Sequence, residues 1–187
     1  MKKFLNPFEY IAGWQALAVG ATAMLVKAVV ACLTGQSFDG IMHITYVDVA
    51  FWQTLAQQLV CWLVFATLLY AAARIFSRSR VRALDIYGTN LFARIPVLLM
   101  LFTLFLIGRD LIDAIMSGAV VEAAAANSGR LLLAGVVNIV LLVWHYVWSY
   151  NAFSVSSNLK GARAVAIFVV CYLIAVVAAA PLLKLIG

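Results

Sequence analysis

Charged residues are scarce in this sequence, and their scarcity excludes an ordinary soluble domain. Only 11% of the 187 residues are charged and 66% are apolar, whereas soluble domains average about 25% charged and about 45–50% apolar residues. A soluble fold of this length could not cover so much apolar surface, but a membrane protein presents it to lipid. The composition therefore predicts one all-α domain that crosses a membrane several times.

Motifs for catalysis and metal binding are also absent. The sequence contains no GxSxG, HExxH, P-loop or GxGxxG pattern, and its cysteines have no CxxC spacing. Cys32, Cys61 and Cys171 each lie in or at the end of an apolar run, so we expect small apolar core residues. We predict a protein that is not an enzyme and that uses no cofactor and no metal.

The net charge of +6 does not indicate nucleic-acid binding. A nucleic-acid-binding protein carries a basic, polar face, whereas the Lys and Arg residues here cluster at the ends of apolar runs, as they do in membrane proteins. The lipid bilayer is therefore the expected partner. Anionic lipid headgroups, a protein partner and a second copy of the chain are left open as further partners.

Five apolar runs are candidates for transmembrane helices. Asn6 as N-cap and Pro7 at the first helical position predict a short interfacial helix ahead of them. The third run is short for a hydrocarbon core of about 30 Å and would have to tilt or pair with its neighbours. The expected spans cover about residues 11–33, 52–73, 91–107, 130–150 and 164–185.

Lys and Arg residues are divided unevenly between the two sides that these spans create. Cytoplasmic loops carry the excess of Lys and Arg, so the nine-to-three division predicts an N-in, C-out protein. With the N-terminus inside, the inner segments hold Lys2, Lys3, Arg74, Arg78, Arg80, Arg82, Arg94, Lys160 and Arg163, the outer segments hold Arg109, Arg130 and Lys184, and Lys27 lies within the first span.

The stretch from Arg74 to Pro96 is the first candidate site, because it holds five of the thirteen Lys and Arg residues. One interpretation is a topological anchor that also binds anionic headgroups, at about 1 kcal/mol per basic residue. The other is a docking site for a cytoplasmic partner. Tyr87 and Gly88 are expected to form a turn, and Arg94 to lie near the headgroups or to pair with Asp85. The residues of this candidate site are Arg78, Arg80, Arg82, Asp85, Tyr87, Gly88 and Arg94.

Polar residues within the spans form the second candidate site. Asn138, His145 and Ser149 share one face of span four, where we expect interhelical hydrogen bonds worth about 0.6–2 kcal/mol each. Lys27 would cost about 2.5–3.5 kcal/mol at a bilayer centre. It is expected to reach outward to the surface, with an outer-loop carboxylate as the alternative partner. A proton or substrate path through Lys27, Asn138 and His145 is the competing hypothesis.

Two groups of acidic residues on the outer side are weaker candidates. Asp39, His43 and Asp48 are residue types that bind metals, but their spacing matches no metal site, so a solvated loop is expected. The pair Asp110 and Asp113 could serve acid–base chemistry. No nucleophile or metal ligand accompanies the pair, so it is expected to be a solvated acidic surface.

Small and aromatic residues predict how the helices pack. Gly13, Gly20 and the alanine-rich faces of the first and fifth spans favour close helix contacts. Aromatic residues are concentrated near the end of span four, which predicts an interfacial belt. They are Trp144, Tyr146, Trp148 and Tyr150.

Three short strings resemble bacterial members of the Yip family (Yip-one domain), which is related to Rab-interacting integral membrane proteins. They are Asn6-Pro7-Phe8-Glu9-Tyr10, Asp85-Ile-Tyr-Gly-Thr-Asn with Ala93-Arg-Ile-Pro96, and Ser156-Ser-Asn-Leu-Lys-Gly161. The resemblance implies a five-span membrane protein of the bacterial cytoplasmic (inner) membrane without a settled activity. Eukaryotic members act in vesicle traffic through an N-terminal Asp-Leu-Tyr-Gly-Pro segment. Here Asp-Ile-Tyr-Gly lies between spans two and three and lacks that proline, so Rab binding is not carried over.

Two classes of function follow from these observations. The first is a non-enzymatic membrane scaffold or partner-binding module that presents its basic stretch to the cytoplasm. The second is a small transporter or channel, or a lipid-handling protein, that uses the polar residues of spans one and four.

Overall fold

A long apolar segment favours an α-helix, because a helix pairs each backbone N–H and C=O within its own segment. The computed structural model describes residues 6–37, 40, 45–46, 50–118 and 120–186. A 3₁₀ turn at Pro7–Glu9 comes first. The helices that follow are α1 (Gly13–Thr34), α2 (Phe51–Phe76), α3 (Ala83–Phe92), α4 (Ile95–Leu101), α5 (Leu104–Ile107), α6 (Arg109–Met116), α7 (Val120–Ala126), α8 (Ser128–Ser157) and α9 (Gly161–Lys184).

Five helical stretches are long and apolar enough to cross a membrane. Four of them are α1, α2, α8 and α9, and the third in chain order is the combined stretch Ala83–Ile107, made of α3, α4 and α5. The all-α prediction with five candidate spans is confirmed. A two-residue antiparallel pair, β1 (Gln36–Ser37) with β2 (Thr45–Tyr46), follows α1.

The third span is longer than the sequence predicted. It begins at Ala83 rather than near residue 91, because the string from Asp85 to Asn90 is helical and not a turn. The stretch is interrupted at Ala93–Arg94, after which Pro96 lies in the first turn of α4, where a missing N–H costs little. The expected short, tilted span is therefore wrong.

Glycines bring α1 and α3 into backbone contact. A β-carbon on Gly20 would lie 2.7 Å from the Phe92 nitrogen, and one on Gly88 would lie 2.7 Å from the Gly13 carbonyl oxygen. The expected close packing of the first span is confirmed, and its partner is the third span.

A second contact joins α2 to α9. Phe65 packs edge-on against Phe168 with ring centroids 5.8 Å apart, and both Cys61 and Cys171 lie in this core. Ala175 and Ala179 of α9 are buried, so the alanine-rich face of the fifth span packs closely as predicted.

The expected interfacial belt at the end of span four is only partly correct. Helix α8 continues to Ser157, and Trp148 is buried against Phe92, whose ring stacks on it at 5.5 Å. Phe8 of the 3₁₀ turn closes this cluster, with its ring 5.9 Å from that of Trp148. Asn6 and Pro7 occupy the predicted N-cap and first positions, but of a 3₁₀ turn; the Asn6 side chain makes no capping bond, and its amide donates to the Glu9 carboxylate at 2.9 Å.

Candidate functional site

The polar face of α8 is used for hydrogen bonds to the third span. His145 Nδ1 lies 2.8 Å from the Ala93 carbonyl oxygen. Since a carbonyl can only accept, Nδ1 carries the proton and Nε2 accepts from Ser149 Oγ at 3.4 Å. Asn138 Nδ2 donates to Thr103 Oγ1 at 3.1 Å. The interhelical hydrogen bonds predicted for this face are confirmed for His145 and Asn138, whereas the Ser149 bond to His145 lies within α8.

Arg94 lies deep in the protein and not near an end of its span. It is only 7% exposed, and eleven residues separate it from Ala83, about 16 Å along a helix axis. Asp85 lies nine residues earlier in the same span, about 13 Å away along the axis. Neither of the two expected positions for Arg94, at the headgroups or beside Asp85, is correct.

Each of the other four candidate spans places a polar side chain within electrostatic range of Arg94. These five residues form what we call the central polar cluster, and they all lie well inside their helices. The cluster consists of Lys27 of α1, Cys61 of α2, Arg94, His145 of α8 and Tyr172 of α9. The structure thus brings together Lys27, Arg94 and His145, which the sequence divided between two candidate sites, while Asn138 bonds elsewhere.

Lys27 does not reach the protein surface. Its side chain is 2% exposed within the described residues, so the expected outward path along the helix is wrong. The alternative partner, a carboxylate of the first outer loop, concerns Asp39 and Asp48, which lie outside the described residues. Burial places the cation of Lys27 in the same low-dielectric interior as that of Arg94.

A small cavity lies where the two buried cations meet. Its volume is about 10 Å³, enough for the centre of about one water molecule. Lys27 and Arg94 supply its polar groups. The lining residues are Gly20, Ala23, Met24, Lys27, Leu91 and Arg94.

Two buried amide side chains lie one helical turn from members of the central polar cluster. Asn90 precedes Arg94 by four residues, and Gln58 precedes Cys61 by three. Both are at most 2% exposed, and among the described residues neither amide finds a hydrogen-bond partner for its nitrogen or its oxygen. Burying an unpaired amide is costly, so these two groups indicate polar content in the centre beyond the described side chains.

Exposed basic residues collect at one end of the helices. The Thr89 hydroxyl lies 2.9 Å from that of Ser156, and the Arg163 guanidinium lies 5.5 Å above the Phe76 ring. These contacts place the loop between α2 and α3 beside the loop between α8 and α9. We call this exposed group the basic rim, and it consists of Arg74, Arg78, Arg80, Arg82, Lys160 and Arg163.

The string from Asp85 to Asn90 is a packing element within this end. The Trp62 indole donates to the Tyr87 carbonyl oxygen at 3.1 Å, and the Tyr87 hydroxyl lies 2.8 Å from Thr67 Oγ1. Gly88 is buried against α1. Among the sequence-predicted docking residues, Arg78, Arg80 and Arg82 are therefore exposed, whereas Gly88 and Arg94 are buried.

The opposite end has a balanced surface. Arg130 bonds the exposed Asp110 carboxylate at 3.4 Å, and Asp113 is also exposed, so both acids lie at the surface as predicted, although a cation accompanies Asp110. Burial raises the pKa of the Tyr46 hydroxyl in β2 above its ordinary value. The described residues contain no cluster of three metal-binding side chains, and Asp39, His43 and Asp48 lie outside them.

Comparison with protein-family models, curated proteins and solved structures finds no match to this chain. The resemblance to the Yip family therefore rests on the three short strings. The structure assigns two of those strings a packing role, since Phe8 lies in the aromatic cluster and Gly88 against α1.

Two members of the central polar cluster and one neighbouring amide were missed by sequence reasoning. Cys61 and Tyr172 carry no motif, and no pattern in the sequence relates them to Arg94. Gln58 was detectable, because an amide in the middle of an apolar run calls for a buried partner.

Proposed function

We propose that this chain is a multi-pass protein of the bacterial cytoplasmic membrane, oriented N-in and C-out. It acts as a non-enzymatic scaffold or partner-binding module, in line with its resemblance to the Yip family. The partner that fits the exposed surface carries negative charge, either on an acidic protein face or on anionic lipid headgroups.

The observation that carries this proposal is the difference in charge between the two ends. The basic rim holds six exposed cations, accompanied by the acids Glu9 and Asp85. The described part of the other end balances three cations against three acids: Arg109, Arg130 and Lys184 against Asp110, Asp113 and Glu122. An excess of Lys and Arg marks the cytoplasmic side, and its exposure leaves it available to a partner.

Neutralising part of the rim tests the docking role. The variant R78Q/R80Q/R82Q keeps six of the nine inner Lys and Arg residues against three outer ones, so its orientation is preserved. Proteins crosslinked in intact cells and co-purified lipids are then compared with those of the wild type. We expect the rim variant to lose, in every repeat, the same one or two of the proteins that crosslink to the wild type, or to lose the anionic lipid that co-purifies with it.

The matched control is R109Q/R130Q, which removes exposed cations from the opposite end. Its partners are expected to equal those of the wild type. Unchanged partners in the rim variant, or equal losses in both variants, would reject the docking role.

A second candidate function is a small transporter or channel, which the small cavity lined by the buried Lys27 and Arg94 favours. Intramembrane cations are costly and usually serve a solute or proton path. Flux of labelled ions into proteoliposomes tests it. Flux that is equal in the wild type, K27A and H145A would argue against a path through these residues.

A further inference from the structure

A pocket beside the N-terminal 3₁₀ turn combines both signs of charge at the end of the molecule that carries the basic rim. Its volume is about 440 Å³, which falls in the usual range of small-molecule sites, about 300–1,000 Å³. The 3₁₀ turn, the last turns of α8 and the start of α9 form its walls. We call it the α8–α9 pocket, and its polar lining residues are Asn6, Glu9, Tyr150, Ser154, Asn158 and Lys160.

Packing and backbone conformation position the two charged residues of this pocket. Phe8 is buried against Trp148 of α8, with ring centroids 5.9 Å apart, so its neighbour Glu9 is held beside that helix. Asn158 ends α8 in the left-handed conformation, at a φ of 56°, and the chain then turns to Lys160. A carboxylate and an ammonium therefore line one pocket from two different elements.

These two charges are not neutralised by each other. Among the described residues, neither Glu9 nor Lys160 forms an ion pair, and both side chains are exposed. Glu9 accepts a hydrogen bond from Asn6 Nδ2 at 2.9 Å, and a carboxylate can accept several more. Lys160 offers three donors and no acceptor. A ligand that satisfies both groups has a hydrogen-bonding cation at one end and an anion at the other.

Membrane insertion of α8 places the pocket at the depth of lipid headgroups, and the inference rests on that part of the proposed function. Helix α8 has 30 residues, about 45 Å at 1.5 Å per residue, whereas the hydrocarbon core is about 30 Å thick. The exposed cations Lys160 and Arg163 follow α8 and are too costly for hydrocarbon. The end of α8 that lines the pocket therefore extends into the headgroup region.

The lining selects one class of headgroup. An anionic headgroup without an amine would be repelled by Glu9, and a choline headgroup has no N–H to donate to it. Sites for quaternary ammonium groups are cages of aromatic rings, whereas Tyr150 alone is aromatic among the described lining residues. We propose that the α8–α9 pocket binds the headgroup of a zwitterionic aminophospholipid, phosphatidylethanolamine, with its primary ammonium on Glu9 and its phosphate on Lys160.

Titration of the purified, detergent-solubilised protein with dioctanoyl phospholipids tests this proposal, with native mass spectrometry as the measure of bound lipid. Phosphatidylcholine differs from phosphatidylethanolamine only in the methyl groups on its nitrogen. We expect phosphatidylethanolamine to bind about tenfold more tightly, the effect of one charge-assisted hydrogen bond. Free phosphoethanolamine is expected to bind at least about tenfold more weakly than the lipid, because it has no acyl chains to bury.

Single-charge variants separate the roles of the two groups. E9Q keeps an acceptor for Asn6 but removes the negative charge, so it is expected to bind phosphatidylethanolamine and phosphatidylcholine equally. K160Q is expected to weaken both lipids about tenfold. The matched controls D113N and K184Q remove exposed charges from the opposite end and should keep the wild-type preference. All four side chains are exposed, so the variants should fold.

Equal affinity of the wild type for the two lipids would overturn the proposal, and so would a preference that survives in E9Q. Free phosphoethanolamine that binds as tightly as the lipid would reject the lipid as the ligand. The rim variant R78Q/R80Q/R82Q should bind anionic phosphatidylglycerol more weakly and keep its preference for phosphatidylethanolamine. A negative result therefore leaves the docking proposal standing, whereas a chain found in the soluble fraction of cell extracts would reject membrane insertion itself.

Discussion

At the scale of single residues, two glycines, Gly20 and Gly88, determine how closely α1 and α3 approach. A β-carbon at Gly20 would lie 2.7 Å from the Phe92 nitrogen and 2.8 Å from the Leu91 carbonyl carbon. Both are backbone atoms, which cannot rotate away as the end of a side chain can. Any side chain at Gly20 therefore forces the two helices apart.

Gly20→Ala is expected to lower the free energy of unfolding by about 1–3 kcal/mol, the usual cost of overpacking a well-packed contact. Reversible unfolding in mixed micelles measures this change. Gly135→Ala is the matched control, because Gly135 lies in a helix and its β-carbon would meet nothing within 4 Å. That substitution should change stability by between zero and a gain of about 1 kcal/mol. Equal losses in both variants would contradict the role of Gly20.

Sequence reasoning identified Gly20 correctly and placed Arg94 wrongly, and one physical cause accounts for the error. Asp85, Gly88 and Asn90 have the chemistry of turn residues. Contact with α1 overrides that local preference, since a helix that packs backbone to backbone needs glycine at the contact. Starting the helix eight residues too late moved Arg94 from the middle of a span to its edge.

At the scale of secondary structure, the N-terminal 3₁₀ turn shows how a short element is attached to the helices. Phe8 is 1% exposed and packs against both Phe92 and Trp148. A three-residue turn has little stability of its own, so this side chain supplies the attachment. The turn thereby joins α8 to the third span.

Phe8→Ala is expected to cost about 3–5 kcal/mol of stability, as for other buried phenylalanines, and to expose the N-terminal segment to protease. Limited proteolysis with mass spectrometry measures the cleavage rate, and micellar unfolding measures the stability. Phe105→Ala removes the same side chain at a position that is 70% exposed and should change stability by less than about 1 kcal/mol. If Phe8→Ala behaves like Phe105→Ala, the turn is not anchored by this contact.

The connection between α8 and the third span also depends on the pair Asn138 and Thr103, which bond at 3.1 Å. A double-mutant cycle with N138A and T103V isolates this pair. We expect a coupling of about 0.6 kcal/mol and no more than about 2 kcal/mol. The control cycle pairs N138A with T22V, because the exposed Thr22 bonds only within its own helix, to the Ala18 carbonyl. A coupling of zero in the first cycle would show that the bond adds nothing to helix association.

The bounds of the helices show which structural features can be predicted from the sequence pattern alone. The five apolar stretches were all predicted, because a run of about twenty apolar residues has few other stable solutions. The break at Ala93–Arg94 was not predicted, since Pro96 at the start of a helix and Pro96 inside one look alike in sequence. The burial of Trp148 was not predicted either, because it depends on Phe8, which lies 140 residues earlier in the chain.

The whole molecule is polarised by charge. The basic rim lies at the end where α2 connects to α3 and α8 connects to α9. The balanced end carries the Arg130–Asp110 pair. Gln53 donates to the Ile186 carbonyl at 3.4 Å, which places the chain's C-terminal part at the balanced end. In a cell, the excess of Lys and Arg would keep the rim inside.

Fusions to alkaline phosphatase test this orientation, because the enzyme needs disulfide bonds that form outside the cytoplasm. Fusion after Ile186 is expected to be active and fusion after Ser79, within the rim loop, inactive. Fusion after Ser117, between α6 and α7, is the matched control for an internal position on the outer side and should be active. A fluorescent protein that folds only in the cytoplasm should give the opposite pattern. Activity at Ser79 with none at Ile186 would reverse the orientation, and the basic rim could then no longer be a cytoplasmic docking surface.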